Sequence, residues 1–293
     1  MDRPLISICI PTFNRARFLK ECLASLTAQF SNLEIKNSVN ITILDNQSAD
    51  NTEEIAQTFT SRFSNVKYIC DSEKRGLIPG IIKVASLADG EYIWVFSDDD
   101  IQANNSLEVV IDFIKKHKTD LVLCNLIGFS DNSPIQYKNL LKVKENVVAT
   151  NKKDFFQILN QKFPGSIDYY TTLCSNWIIK KEIFDKNFYI FEKFNDKLDM
   201  FPFPSLFFYT NMEFSAGVIA EEIVLNRGEN ESWGRKNKIK HFFYRDNLWK
   251  DYYQKIIIHN RAFLPKNFSF QVKIKNIVRY KELVKIILLY FKK

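Results

Sequence analysis

Three consecutive carboxylates follow an apolar run, and carboxylates at such a position can bind a metal ion. Asp98, Asp99 and Asp100 come directly behind Tyr92–Phe96, a segment with the composition of a buried strand. Carboxylates this close repel one another unless a cation lies among them, and hard oxygen ligands suit Mg²⁺ or Mn²⁺. They are therefore candidate ligands of a divalent metal that neutralises a departing diphosphate. A solvated acidic turn that caps the next helix is the alternative for this motif alone.

A second candidate segment follows the first apolar run. Pro11 and Thr12 offer backbone groups, Phe13 offers an aromatic face on which a base can stack, and Arg15 offers a guanidinium for phosphate. The alternative is that Phe13 belongs to the core and Arg15 to the surface.

A third polar segment follows the second apolar run. Asp45 and Asn46 supply a carboxylate and a carboxamide there, although they also fit a turn followed by a helix cap.

The elements that must position these residues alternate along the first 125 residues. Apolar runs predict strands at Leu5–Pro11, Asn40–Asp45, Val66–Ile69, Tyr92–Phe96 and Asp120–Asn125. Helical patterns separate them at Arg17–Gln29, Thr52–Phe63, Leu77–Ala88 and Ser106–Lys116. This order predicts an α/β fold with a mostly parallel central sheet. Ligands of such sheets bind outside the carboxyl ends of the strands, so the three polar segments should face one crevice.

The pattern weakens after Asn125. We expect Ile127–Thr150 to be irregular, and Cys174–Ile179 to be a strand that leads into Lys180–Phe184.

Composition indicates one large domain with an appendage in a reducing compartment. The chain has 293 residues, of which 46% are hydrophobic, and its five cysteines form no C-x-x-C pair. Neither a secretory signal nor an apolar run of about 18 residues is present, so we expect a cytoplasmic protein.

The positive charge is concentrated near the C-terminus. Residues His241–Lys293 contain 12 Lys and Arg against 3 Asp and Glu, interleaved with apolar residues. A helix with this pattern suits the inner surface of an anionic membrane, whereas a helix docked on the domain is an equal alternative. Nucleic acid is not expected as a partner, because the rest of the chain is mildly acidic.

Three segments carry a resemblance to a known family. Ile6–Leu26, Ile41–Ile55 and Gly90–Gln102 resemble, in order and spacing, the N-terminal signatures of family 2 glycosyltransferases, inverting enzymes of the GT-A fold. The resemblance implies a GT-A domain at residues 1–225, followed by a loop and a helical basic tail at residues 226–293.

The resemblance also implies roles for the candidate residues. Phe13 would stack on the nucleobase, Asp45–Asn46 would lie near base and ribose, and Asp98 would lie near the ribose. Asp99 would be the principal metal ligand, with Asp100 as a further acidic candidate to which the family pattern gives no role.

One departure from the family pattern concerns the base. Many members carry a second Asp where Asn46 stands, and a carboxylate only accepts, which suits the N3–H of uracil. An amide can donate to N3 of cytosine, so we expect a CDP-sugar donor. An amide can also accept, so UDP- and dTDP-sugars remain open.

A second departure concerns the diphosphate. Pro79-Gly80 stands where members usually carry an Arg-Asn pair. Arg75 or Lys83 is a candidate substitute, and Arg227 is another within the segment Arg227–Gly234.

The segments Ser175–Phe184 and Ile223–Trp233 resemble abequosyltransferase-like members, which attach a dideoxyhexose to bacterial O-antigen. The catalytic base of many relatives is the Asp of a Glu-Asp pair, which is missing here. Asp199 and Asp196 occupy its window, and we choose Asp199.

These expectations combine into metal-dependent, inverting transfer of a sugar to a lipid-linked bacterial surface glycan. A sugar-1-phosphate nucleotidyltransferase is a rival, although the first loop lacks the glycines such enzymes usually carry. A catalytically degenerate glycan-binding module is another rival, because two family residue pairs are missing.

Overall fold

The computed structural model describes residues 3–138, 141, 143–162, 174–194 and 210–228. Within these residues ten strands form one sheet. The strands are β1 (Ile6–Thr12), β2 (Val39–Asp45), β3 (Val66–Cys70), β4 (Tyr92–Val95), β5 (Ile101–Gln102), β6 (Leu121–Ser130), β7 (Ser133–Tyr137), β8 (Val147–Ala149), β9 (Trp177–Lys180) and β10 (Ala216–Arg227). The helices are α1 (Ala16–Thr27), α2 (Leu33–Ser38), α3 (Thr52–Thr60), α4 (Leu77–Ser86), α5 (Ser106–His117), α6 (Lys152–Lys162), α7 (Lys181–Lys186) and α8 (Tyr189–Phe194).

The sheet is mostly parallel, as predicted. Its strand order is β3-β2-β1-β4-β9-β6-β10-β5, with β7 beside β6 and β8 beside β10. Strand β9 lies antiparallel to both β4 and β6, and β10 is parallel to β6. Strands β1, β2, β3, β4, β6 and β10 therefore point in one direction, and their carboxyl ends meet at one edge of the sheet.

Helices cover both faces of this sheet. Along β1, Ile6, Ile8 and Ile10 face one core cluster, to which α1, α3 and α5 contribute. Cys9 faces the opposite cluster, which α4, α6 and α7 complete. Because side chains alternate along a strand and both faces are buried, such a strand is mostly apolar, which is why the runs were recognisable in the sequence.

The five strands and four helices predicted for the first 125 residues are confirmed, with ends shifted by a few residues. The strand predicted at Cys174–Ile179 is present as β9, which begins at Trp177 after a short 3-10 turn, and helix α7 follows it. The expectation that Ile127–Thr150 is irregular was wrong in part, because β6 continues to Ser130 and β7 and β8 follow. Each of these two added strands pairs with one neighbour, so neither needs the apolar sequence of a central strand.

A glycine allows α5 to pack closely on β10. The ring of Phe113 lies so near Gly217 that an added Cβ would overlap ring atoms Cε1 and Cζ. Both residues are in the buried part of the sheet–helix interface, so a larger residue at position 217 requires the ring to move.

No helix in the described ranges is both long and apolar enough to cross a bilayer. The five cysteines are free thiols. Strand β10 continues across the predicted boundary between residues 225 and 226. The predicted basic tail at His241–Lys293 lies outside the described residues.

Candidate functional site

The loops after β1, β2 and β4 meet at one edge of the sheet, as expected. Thr12 and Asp45 are register partners at the ends of β1 and β2, and Pro11 lies opposite Leu44. The backbone N–H of Asn46 donates to the Thr12 carbonyl at 3.0 Å. The Thr12 hydroxyl donates to Asp98 Oδ2 at 2.8 Å, which joins the first loop to the acidic segment.

Arg15 binds two of the three acids. Its Nη1 lies 2.9 Å from Asp98 Oδ1 and its Nη2 lies 2.8 Å from Asp99 Oδ2, with all three side chains largely buried. The ring of Phe18 lies 5.0 Å from the guanidinium carbon, and the Ser97 hydroxyl donates to Asp99 Oδ1 at 2.5 Å. Arg15 is therefore part of the acidic site and not a surface residue.

Asp100 faces away from this pair and is 1% exposed. Its Oδ2 accepts from the Ser175 hydroxyl at 2.6 Å. Its Oδ1 accepts from Asn226 Nδ2 at 3.0 Å and from the backbone N–H of Arg227 at 2.9 Å. The three consecutive acids thus divide into a pair at Arg15 and a third that binds the ends of other elements.

Burial and mutual repulsion shape the charge of this segment. Burial raises the pKa of the Asp98 carboxyl, with Asp99 adding to the effect and Arg15 opposing it. Burial also raises the pKa of Asp100, again with a contribution from Asp99. Burial makes the charged form of these carboxyl groups costly, so a nearby cation would stabilise that form.

The Asp98–Asp99 pair fits a divalent metal that takes its remaining ligands from elsewhere. One guanidinium reaches an oxygen of each residue, which places the two carboxylates around a common point. Within the described ranges no three His, Cys, Asp or Glu residues are grouped as a metal site. Mg²⁺ is commonly held by one or two carboxylates together with substrate phosphates, and two aspartates suit that mode. Asp100 is held by Ser175, Asn226 and Arg227 and is 1% exposed, against 7% for Asp99, so Asp99 is the more accessible of the two to a metal.

Phe13 lies at the surface of the site, so its assignment to the core is excluded. It is 38% exposed, and Lys74 Nζ lies 4.8 Å from its ring centroid. The following residue, Asn14, has a φ of 52°. Its backbone N–H donates to Ser48 Oγ at 2.7 Å, and its side-chain oxygen accepts from the Ala49 N–H at 2.7 Å. This turn therefore holds a partly exposed aromatic ring beside the acidic segment.

Asp45 is a buried acceptor at the end of β2. Its Oδ1 accepts from the Ser48 hydroxyl at 2.5 Å, and its Oδ2 accepts from the Tyr68 hydroxyl at 2.8 Å. Burial raises the pKa of Tyr68, and the hydrogen bond to Asp45 raises it further. Asp45 therefore connects the end of β2 to Ser48 in the following loop and to Tyr68 in β3.

Asn46 holds a neighbouring loop through its side-chain amide. Its Oδ1 accepts from the backbone N–H of Arg75 at 2.5 Å, and its Nδ2 donates to the Arg75 carbonyl. Among the residues that the structure describes, no partner is found for the second N–H of this amide, so a ligand could take it.

The two predicted diphosphate arginines are engaged by acids. Arg75 Nε lies 2.8 Å from Asp71 Oδ2 and its Nη2 lies 2.9 Å from Glu73. The Arg227 guanidinium is 3% exposed, pairs with Glu21 and Asp131, and donates through Nε to the Asp99 carbonyl at 3.0 Å. Either arginine would have to exchange these partners to bind a diphosphate. Their diphosphate role stays a prediction.

The two candidate bases, Asp196 and Asp199, lie outside the described residues. Sequence reasoning missed Ser175 and Asn226 as residues of the site. Both lie within the two segments that resemble abequosyltransferase-like members. The sequence therefore marked these residues but did not indicate that they contact Asp100.

Comparisons with known proteins agree with this geometry. The family model described as Glycosyl transferase family 2 matches residues 7–188. The chain belongs to glycosyltransferase family 2. It is 28% identical over 275 residues to abequosyltransferase RfbV of Salmonella typhimurium, which covers 88% of this chain and 78% of RfbV. It is 26% identical over 206 residues to glycosyltransferase GlyG of Streptococcus pneumoniae, which covers 68% of this chain and 64% of GlyG.

Solved structures of S. aureus TarS share the fold of this family 2 glycosyltransferase and confirm that it is a GT-A fold. S. aureus TarS 1–349 in complex with UDP-GlcNAc superposes with a TM-score of 0.59 at 16% identity, over 95% of this chain and 79% of that one. TarS 1–349 in complex with UDP gives a TM-score of 0.59 at 15% identity, over 91% and 68%. In another TarS 1–349 structure the chain spans 60% of the length.

Proposed function

We propose that this family 2 glycosyltransferase catalyses metal-dependent, inverting transfer of a sugar from a nucleotide-sugar to a bacterial surface glycan. The favoured donor is a CDP-deoxyhexose and the favoured acceptor is lipid-linked. The proposal rests on the contact of Thr12 with Asp98, beside the bridge that Arg15 makes to Asp98 and Asp99. This contact joins a base-stacking loop to a carboxylate pair in one pocket.

Different residues of the pocket are assigned to the base, the ribose and the metal of the donor complex. The exposed ring of Phe13 stacks on the base, and the Asp45–Asn46 segment lines the pocket beside it. Asp98 accepts from the ribose, while Asp99 ligates Mg²⁺ or Mn²⁺. When bound, this ion supplies positive charge to the diphosphate as it leaves.

Acceptor activation is assigned to Asp199, with Asp196 as the other candidate. An inverting transfer needs a base beside the attacking hydroxyl, aligned opposite the leaving diphosphate. The carboxylate takes the proton of that hydroxyl as its oxygen attacks the anomeric carbon, and the nucleoside diphosphate leaves from the other side.

Two observations bear on the donor base and sugar. The remaining amide N–H of Asn46 is a donor for N3 of cytosine, and RfbV is named for transfer of abequose, a dideoxyhexose. TarS binds UDP and UDP-GlcNAc, which supports a UDP-sugar as the second candidate, with a dTDP-sugar as a related one.

The basic tail is the basis on which we infer a lipid-linked acceptor and a location at the membrane. Residues His241–Lys293 carry 12 basic against 3 acidic residues, interleaved with apolar ones. A basic amphipathic helix binds anionic lipid surfaces, so we place the enzyme on the cytoplasmic face of the membrane, where a lipid-linked glycan is accessible.

A thermal-shift screen of the full chain tests the donor. CDP, UDP, GDP and dTDP are added separately, with and without Mn²⁺. We expect the largest rise in melting temperature with CDP, and a larger rise with Mn²⁺ than without it, because ligand that binds only the folded state stabilises it. A larger rise with UDP would select the second candidate. No rise with any nucleotide would contradict donor binding.

Product analysis separates the rival enzyme classes. Release of a nucleoside diphosphate from a nucleotide-sugar supports the glycosyltransferase reaction. Release of pyrophosphate from a nucleoside triphosphate and a sugar phosphate would instead indicate a nucleotidyltransferase. Nucleotide binding without consumption of any donor, with acceptor glycan and Mn²⁺ present, would indicate a catalytically degenerate module.

A further inference from the structure

Asp100 links three separate parts of the chain. Its carboxylate accepts from Ser175, in the turn before β9, and from Asn226 and the Arg227 backbone at the end of β10. Three hydrogen bonds hold this carboxyl group, which is 1% exposed, between two other elements of the sheet. Its position and orientation are therefore fixed by its partners.

Ser175 extends this connection to the other end of the acidic segment. Its hydroxyl oxygen accepts from the backbone N–H of Ser97 at 2.9 Å while the hydroxyl donates to Asp100. Its carbonyl accepts from the indole N–H of Trp94, which is in β4, at 2.7 Å. The first and last residues of Ser97–Asp100 are therefore attached to the same serine.

Arg227 holds the segment from the side of β10. Its backbone N–H binds the Asp100 carboxylate, and its Nε donates to the Asp99 carbonyl at 3.0 Å. The guanidinium is itself fixed by Glu21 and Asp131 and lies 4.6 Å from the ring centroid of Phe129. The backbone at Asp99 is thus bound to the buried Arg227, whose side chain is itself held by Glu21 and Asp131.

We propose that Asp100 is a positioning residue and not a metal ligand. Its carboxylate fixes the backbone of Ser97–Asp100 so that Asp98 and Asp99 point together toward Arg15. A metal site needs its ligands held to within about 0.5 Å, and the residues that orient the ligands commonly change metal affinity by about 10–100-fold when removed. This inference rests on the proposed metal role of Asp99.

The test compares acid-to-amide changes at the two neighbouring positions in the full chain. Mn²⁺ affinity is measured by electron paramagnetic resonance with the same saturating concentration of CDP in every sample, because nucleotide phosphates would complete the metal site. Asp99→Asn should weaken Mn²⁺ binding by about tenfold or more, because an amide is a poor substitute for a ligating carboxylate. Asp100→Asn should stay within about threefold of wild type, since its amide oxygen still accepts from β10 and Ser175 can accept from its N–H. Asp100→Ala, which removes all three bonds, should weaken binding by about tenfold.

The pattern at position 100 separates the two roles. Equal weakening by Asp100→Asn and Asp99→Asn would show that Asp100 is a ligand and would overturn the inference. Unchanged Mn²⁺ affinity in Asp100→Ala would overturn it as well. If Asp99→Asn leaves Mn²⁺ binding unchanged, the proposed metal role itself fails. These failures are therefore distinguishable.

A milder variant provides a second test in case Asp100→Ala does not fold. Ser175→Ala removes one of the three bonds and should weaken Mn²⁺ binding by about threefold. In the double variant Ser175→Ala/Asp100→Asn the two effects should not be additive, because both changes act on one network. Independent, additive effects would contradict a shared positioning role.

Discussion

Arg15 Nη2 lies 2.8 Å from Asp99 Oδ2, so a cation from the loop after β1 contacts the proposed metal ligand directly. The same guanidinium contacts Asp98 at 2.9 Å, and both aspartates are almost fully buried. The position of Asp99 is therefore determined from two sides, by Arg15 at its carboxylate and by Arg227 at its carbonyl. Changes at Asp99 should affect chemistry more than folding, because Asp98 remains to pair with Arg15.

Asp99→Asn should abolish metal-dependent turnover while the fold is retained. We expect kcat/KM to fall by about 100-fold or more, because a charge-stabilising interaction made in the transition state is lost. The free energy of unfolding should change by no more than about 1–3 kcal/mol, the range for one altered buried hydrogen bond. Nucleotide release in Mn²⁺ and urea unfolding measure the two quantities. Wild-type turnover in this variant would refute the metal role.

Asn46→Asp should change both base preference and loop stability. The carboxylate keeps the acceptor for the Arg75 N–H but faces the Arg75 carbonyl with a second acceptor. We expect a loss of about 1–3 kcal/mol in the free energy of unfolding and a shift of preference from CDP toward UDP of similar size. Calorimetric titration with both nucleotides measures the shift. Arg75→Ala is the matched control, since it keeps the backbone groups that Asn46 binds, and an equal shift there would refute a direct role for Asn46.

Lys152 should produce a pH-dependent contribution to stability. It is buried, its Nζ donates to the Thr210 carbonyl at 2.7 Å, and burial lowers its pKa from 10.5 to about 8. Between these values the folded state has released a proton that the unfolded state retains, so stability rises with pH. The difference in stability between Lys152→Met and wild type should therefore shift in favour of wild type by about 1–3 kcal/mol from pH 8 to pH 10. Urea unfolding at several pH values checks this, and a constant difference would contradict it.

Gly217→Ala should destabilise the contact between α5 and β10. The added methyl group overlaps the ring of Phe113, which is buried, so either the ring or the backbone must shift. We expect a loss of about 1–3 kcal/mol in the free energy of unfolding. Gly80→Ala is the matched control, because an added Cβ there meets no described atom within 4 Å in the helix interior. It should increase stability by about 0.5–1 kcal/mol, and a loss at both positions would argue against the overlap as the cause.

The sequence predicted those parts of the site that follow directly from strand ends. Thr12 and Asp45 end two mostly apolar strands and Asp98 follows a third, and the rule for parallel sheets then places them together. Phe13 is exposed at this edge of the sheet, whereas the Arg15 guanidinium that was predicted for phosphate is paired with Asp98 and Asp99. The base-stacking role of Phe13 and the phosphate role of Arg15 stay predictions.

The contacts of Asp100 and Asn46 were not predictable in this way. Asp100 binds Ser175 and Arg227, which are 75 and 127 residues away. It does so because β9 pairs with β4, which precedes Asp100, and β10 pairs with β5, which follows it. Hydrophobic periodicity reports burial and local conformation but carries no information on strand order. The pairing of the Asn46 amide with a backbone segment likewise depends on a loop conformation that no residue type dictates.

The central place of β9 has a consequence for how the protein is made. This strand is synthesised after β4 and β6, yet it lies between them, with Ile179 opposite both Ile93 and Leu121. Until Lys180 has left the ribosome, two apolar strand edges lack their shared neighbour, and open edges of this kind invite aggregation. Nascent chains stalled just before Trp177 should therefore be recognised by chaperones, whereas chains that extend beyond β10 can close the sheet.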